Sequence, residues 1–297
     1  MDELKTATEI IAPAILAIMM FSMGTSLKVD DFKRIKDKPK AVICGTLLQL
    51  LLIPCVGLLL IYIFQLHSSP LIIGVAILSC CPGGPGSNIA AYLCRGDTAL
   101  SITLTTISSL YTIITVPLFI NLLLPVIFHA IPPKTSGISI SEMALKMIAI
   151  TLVPASIGMT VNKIAPKFSE RIAKPLKFSA IILLLILVIN VFAQHGKEFI
   201  KSANSTIFIC ILLFLITFSL SYLISHLIKL KTDQKISISV EVGIQNSVMA
   251  IFIATNFYNN DRIAIPAIIY SPIMFTSIFA LMFFVNLTTR KEENSQK

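Results

Sequence analysis

Of the 15 acidic residues in this sequence of 297, all but Glu241 fall in tails, in loops or at the ends of apolar runs. A carboxylate near the centre of a bilayer costs roughly 2.5 to 3.5 kcal/mol, so it is neutralised, paired or bound to a cation. No Lys, Arg or His within an apolar run stands near enough to pair with it, and the residues around it read as a cation or proton site. The competing assignment places Glu241 nearer the end of its run, six residues after Lys235, with its carboxylate reaching the headgroup layer.

Hard cations take oxygen ligands, and the sequence offers several at membrane depth. Ser101 and Thr105 share one helix face at i, i+4 spacing, Ser87 and Asn88 precede them by about one span, and Gln49 is a further buried amide. Taken alone, the Ser and Thr pair reads more readily as hydroxyls that bond back to carbonyls of their own helix and help helices pack.

Two segments are poorly suited to a plain lipid-facing helix. One runs Cys80-Cys81-Pro82-Gly83-Gly84-Pro85-Gly86-Ser87-Asn88, the other Glu241-Val242-Gly243-Ile244-Gln245-Asn246-Ser247. Proline removes an amide donor and glycine loosens the backbone, and lipid tolerates the unwound chain only where protein or a water-filled cavity takes up the freed polar groups. Two interrupted spans, one in each half of a chain, point to a transporter of inverted repeats with its site near the midplane.

The elements that must position these residues are membrane helices. Apolar residues make up 55% of the chain, charged residues 13%, and the mean hydropathy is +0.86, more apolar surface than a soluble domain could bury. Nine spans are expected, near Thr8 to Leu27, Pro39 to Phe64, Leu71 to Leu93, Thr98 to Phe128, Ile140 to Asn162, Lys174 to Gln194, Ala203 to Ile228, Gln234 to Phe257 and Ile263 to Leu287. Lys and Arg gather in alternate loops, with only Lys5, Lys134, Lys146, Lys197, Lys201 and Arg262 on the other side, which places the N-terminus outside and the C-terminus in the cytoplasm.

The net charge of +9 lies in these short connections rather than in a basic patch, so it argues for membrane topology and not for a nucleic-acid partner. The six cysteines sit within or at the ends of apolar runs without zinc-type spacing, and His67, His129, His195 and His226 fall at span ends; no metal site beyond a sodium-like cation is expected. The first apolar run lacks the basic flank of a secretory signal and is expected to stay. With no His-Glu-x-x-His, no paired intramembrane aspartates and no buried Ser beside a His, the sequence does not read as an enzyme and calls for no cofactor.

Several stretches together resemble the bile acid:sodium symporters, whose bacterial members are homologues of the apical sodium-dependent bile acid transporter. They are Met20-Phe21-Ser22-Met23-Gly24 through Leu27-Lys28 with Asp31-Phe32, then Cys80-Cys81-Pro82-Gly83-Gly84, Ser87-Asn88, Arg95-Gly96-Asp97 with Ala99-Leu100-Ser101, and Glu241-Val242-Gly243 with Gln245-Asn246-Ser247. The resemblance implies a panel domain (8–27 and 140–194) and a core domain (39–128 and 203–287), followed by a cytoplasmic tail (288–297), with two interrupted helices crossing in the core of an all-α inner-membrane protein. It implies one sodium site at Ser87, Asn88, Ser101, Thr105 and Glu241. A second would use Gln49, Glu241, the carbonyls of Val242 and Ile244, and Gln245. Asn246, with Pro85 and Gly86, would face an organic anion.

Typical bacterial members have ten spans, and this chain is expected to lack the first panel helix. Pro85-Gly86 stands where they usually carry Thr-Ala, and Tyr270-Ser271-Pro272 where some carry a His-Asn pair, so a smaller carboxylate such as pantoate is as good an expectation as a bile acid. The alternative is an arsenite or oxyanion exporter of the related superfamily, binding substrate through Cys80 or Cys81. The sequence carries no sign of the oligomeric state.

Overall fold

A computed structural model describes residues 2–27, 37–66, 69–128, 139–258 and 260–295. Lys28, Asp31, Phe32, His67, His129 and Lys134, drawn on above for motif or topology, lie outside the described residues. Among those described, the chain is helical apart from turns and one isolated β-bridge, as a backbone immersed in hydrocarbon must be if its polar groups are to be paired locally.

The helices are α1 (Asp2–Gly24), α2 (Pro39–Ile63), α3 (Ser69–Cys80), α4 (Pro85–Leu93), α5 (Thr98–Leu123), α6 (Leu124–Phe128), α7 (Ile140–Ile164), α8 (Pro166–Leu227), α9 (Thr232–Gly243), α10 (Ser247–Tyr258) and α11 (Ile265–Ser295). Among the described residues, five stretches are long and apolar enough to cross a bilayer: α2, α5, α7, Ser205–Leu227 of α8, and Arg262–Met282. The half-helices α3 and α10 are 12 residues each, about 18 Å, and each needs its partner, α4 or α9, to complete a crossing. Both expected breaks are therefore present, at residues 81–84 and 244–246.

One expectation is corrected. Separate spans at 174–194 and 203–228 were read from the charges between them, yet Pro166–Leu227 is one helix of 62 residues, about 93 Å long. The connecting stretch Ala193-Gln194-His195-Gly196-Lys197-Glu198 carries no proline and is rich in helix-favouring residues. Local propensity therefore continues through a segment whose charge marks it as polar. At the other end of the chain, α11 runs on through Ser295, so residues 288–295 continue the helix.

Three helices contain a π-turn, at Leu48–Leu52, Phe119–Leu123 and Ile148–Leu152. Each ends two residues before a proline, Pro54, Pro125 or Pro154. A proline offers no amide and its ring strikes the carbonyl four residues back; a widened turn relieves that contact without ending the helix.

α1 packs against α7 and α8. Gly24 and Gly158 permit the close approach: a Cβ on the first would lie 2.1 Å from the Ala155 carbonyl oxygen, and one on the second 2.3 Å from that of Phe21. Asn162 Nδ2 then donates to the Leu27 carbonyl (2.7 Å) and Ser169 Oγ to that of Thr25 (2.9 Å), pairing acceptors that α1 leaves open at its C-terminal end. At the start of α5, Asp97 accepts from its own Leu100 amide (3.1 Å) and from Lys38 Nζ (2.5 Å), while Ser237 Oγ donates to its carbonyl (2.9 Å). The Arg95-Gly96-Asp97 motif thus ties α2, α5 and α9 at one end of the bundle.

Candidate functional site

The two breaks meet. The Asn246 amide donates to the Pro82 carbonyl (2.8 Å), and Gly83 pairs with Gln245 in an antiparallel bridge. Two unwound segments, each short of partners in its own helix, supply partners to each other.

Glu241 lies in the last turn of α9, fully buried. Ser87 Oγ (2.6 Å) and Ser101 Oγ (2.8 Å) donate to its Oε2, and Thr105 Oγ1 (2.6 Å) donates to Oε1. The same hydroxyls also approach other oxygens. Ser87 Oγ is 2.7 Å from the Gly84 carbonyl, Ser101 Oγ 2.9 Å from Asn88 Oδ1, and Thr105 Oγ1 3.2 Å from Asn88 Oδ1 and 3.0 Å from the Ser101 carbonyl. Each hydroxyl has one proton, so the three can serve only three of these approaches. A buried cluster with a negative charge and more oxygens than protons has the composition of a hard-cation site. The expected set Ser87, Asn88, Ser101, Thr105 and Glu241 is brought together, drawn from α4, α5 and α9.

The second expected set is less fully engaged. A Cβ on Gly83 would sit 2.0 Å from Glu241 Oε1 and 3.3 Å from Gln49 Nε2, so the carboxylate and the amide flank one point of the crossing backbone. Gln49 is buried, and neither its Oε1 nor its Nε2 has a hydrogen-bond partner. Gln245 Nε2 donates to the Val242 carbonyl (2.7 Å), leaving Gln245 Oε1 unpartnered. Ile244 is extended (φ −107°, ψ 110°) as the chain leaves α9. Open oxygens therefore sit beside Glu241 on this side as well.

On the other face of the crossing is a cavity of about 370 Å³. Pro85, Gly86 and Asn246 line it, together with apolar groups such as Met19, Ile89, Met274 and Phe275. Asn246 caps α10, its Oδ1 accepting from the Met249 amide (3.1 Å), which leaves its Nδ2 free of any partner. Neither Cys80 nor Cys81 lines this cavity; all six cysteines are free thiols.

Sequence reasoning missed three contributors. Ser22 and Ser247 add unpartnered hydroxyls to the cavity wall. Ser22 follows the apolar residues Ile15, Ile18 and Met19 on one face of α1, which is the available signal. Tyr270, fully buried, donates to the Gly243 carbonyl (2.7 Å) and so holds the end of α9; nothing in its local sequence indicates that long-range contact.

Residues 13–202 match the Sodium Bile acid symporter family. Over 252 residues the chain is 31% identical to the Probable sodium/metabolite cotransporter BASS2, chloroplastic, of Oryza sativa, covering 85% of this chain and 58% of the rice protein. It is 30% identical over 257 residues to the Uncharacterized sodium-dependent transporter YocS of Bacillus subtilis, covering 86% of this chain and 77% of that protein. It is also 32% identical over 188 residues to the Ileal sodium/bile acid cotransporter of Mus musculus, covering 63% of this chain and 52% of that protein. The chain thus spans less than two thirds of two of these relatives. The crossing, its buried carboxylate and the extent of the match agree: the chain belongs to the Sodium Bile acid symporter family.

Proposed function

We propose that the protein is a sodium-coupled symporter of an organic anion, working by alternating access. The observation that carries this reading is the Glu241 carboxylate held by three hydroxyls from two other helices, with oxygens in excess of protons. Sodium at Ser87, Asn88, Ser101, Thr105 and Glu241 would use that excess. A second ion would draw on Gln49, Gln245 and the carbonyls of Val242 and Ile244 beside the same carboxylate. Either ion would neutralise Glu241 and brace the crossing against which the anion binds.

The anion fits the cavity of about 370 Å³. No charged side chain lines it among the described residues; the unpartnered polar atoms are Ser22 Oγ, Gln245 Oε1, Asn246 Nδ2 and Ser247 Oγ. The N-termini of α4 and α10 converge there, each contributing about half a positive charge. Hydroxyls, one amide donor and helix ends suit a single carboxylate, and the apolar wall suits its carbon skeleton. That describes an amphipathic bile acid-like molecule or a smaller carboxylate such as pantoate.

The close α1–α7 pair belongs to the panel and the crossing helices to the core, and their relative shift would expose the cavity to either side. In a cell inner membrane, two sodium ions and one monoanion entering together carry one net charge inward. Each 100 mV then contributes about 2.3 kcal/mol to uptake.

The test is uptake of labelled organic carboxylates into proteoliposomes under an inward sodium gradient. Uptake that is unchanged when choline replaces sodium overturns the reading.

A further inference from the structure

The peptide between Gly243 and Ile244 is held from both sides. Its amide donates to the Val240 carbonyl (2.9 Å), closing α9, and its carbonyl accepts from the Tyr270 hydroxyl (2.7 Å), 27 residues further along the chain. Gly243 is the last residue of α9, and glycine has a wider choice of backbone angles than any other residue. Packing excludes a larger one: a Cβ there would lie 3.1 Å from the Phe214 ring and 3.3 Å from that of Phe218. The break is thus left with its loosest residue at the point where α9 ends, and the direction of the chain beyond depends on a restraint from outside.

Tyr270 is that restraint. It is fully buried on α11 and is not among the residues lining the organic cavity, although Met274 and Ile278, one and two turns further along the same face, are. What it directs is the next carbonyl. Ile244 is extended (φ −107°, ψ 110°), and successive carbonyls of an extended chain point to opposite sides. With the Gly243 carbonyl held toward α11, that of Ile244 is turned away from it. Gln245, next in the chain, is fixed by its own bond to the Val242 carbonyl (2.7 Å) and keeps an unpartnered Oε1.

We propose that Tyr270 is a positioning residue for the second sodium ion: by holding the Gly243 carbonyl it points the Ile244 carbonyl at the ion that Gln49, Gln245 and Glu241 share. The first site takes its other oxygens from Ser87, Asn88, Ser101 and Thr105 on α4 and α5, so the restraint bears on one ion and not on both. This rests on the reading of Glu241 and its neighbours as sodium ligands.

The experiment is the binding of radioactive sodium to the purified full chain, parent against Tyr270→Phe, which removes the hydroxyl and keeps the ring. The parent is expected to bind two ions. In the variant one ion is expected to bind as in the parent and the other about tenfold more weakly, as loss of one hydrogen bond predicts. Two ions bound by the variant with parental affinities overturn the proposal. Equal weakening of both also overturns it, because Tyr270 then supports the crossing as a whole. A parent that binds no sodium overturns the sodium reading itself. Should the variant not fold, 3-fluorotyrosine is placed at Tyr270, keeping the donor. Its fluorine resonance is expected to shift as sodium is added, and a resonance indifferent to sodium overturns the proposal.

Discussion

The backbone amide of Asn246 donates to the Pro82 carbonyl over 2.8 Å, joining the break in one half of the chain to the break in the other. The same residue lines the organic cavity and carries an unpartnered, buried Nδ2, and Glu241 lies five residues before it. Ion site and anion cavity are thus two faces of one joint, which makes the effects of single substitutions separable.

Glu241→Gln keeps the size of the side chain and removes its charge. At sodium concentrations about a hundredfold above Kd the parent gains about 2.7 kcal/mol from binding. The variant is expected to fold with no sodium-dependent rise in Tm and to lose sodium-driven uptake. Thermal unfolding in sodium against choline checks this, and an undiminished rise in the variant rules Glu241 out as a ligand.

Thr105→Val removes the hydroxyl 2.6 Å from Glu241 Oε1 while conserving shape. Loss of one hydrogen bond to a charged group, or of one oxygen ligand, predicts sodium affinity roughly tenfold weaker, with the fold retained. Sodium titration of transport rate or of Tm measures it; an unchanged midpoint would exclude Thr105 from the site.

Gly83→Ala places a methyl group 2.0 Å from Glu241 Oε1. Either the carboxylate or the crossing must move, at a cost of about 1 to 3 kcal/mol. A lower Tm is expected, with sodium no longer restoring it. A variant that responds to sodium as the parent does would show that the backbone and the carboxylate are not in contact.

Asn246→Asp puts a negative charge where the anion is proposed to sit. Organic-anion binding is expected to fall at least a hundredfold while the sodium-dependent rise in Tm persists. Isothermal titration with the transported carboxylate, with and without sodium, distinguishes the two effects.

What the sequence made legible followed from rarity. A carboxylate, a Pro-Gly-Gly-Pro run and paired hydroxyls are costly in lipid, so Glu241, the break near Pro82 and the Ser101–Thr105 face stood out against an apolar background. The boundary between the sixth and seventh spans did not, because charge in the 195–202 stretch suggested a loop while the backbone there had no reason to stop. Tyr270 and Ser22 were hidden differently. Tyr270 matters through a contact made across the fold and Ser22 through the cavity wall it joins, and neither a tyrosine nor a serine is unusual enough in an apolar helix to announce such a role.

The π-turn at Leu48–Leu52 changes what kind of mutation α2 can bear. The widened turn takes in one surplus residue over nearly the rotation of a normal turn, so the helix beyond it keeps the phase of an α-helix one residue shorter. Deleting a single leucine from the Leu50–Leu52 run would therefore be absorbed by closing the turn to α geometry, at the cost of the proline contact it relieves, and would leave the two halves of α2 in phase. A one-residue insertion there, with the surplus already taken up, would instead rotate the half beyond it by about 100°. The segment thus bears loss better than gain, a contrast that paired one-residue deletions and insertions would expose where conservative substitutions pass unnoticed.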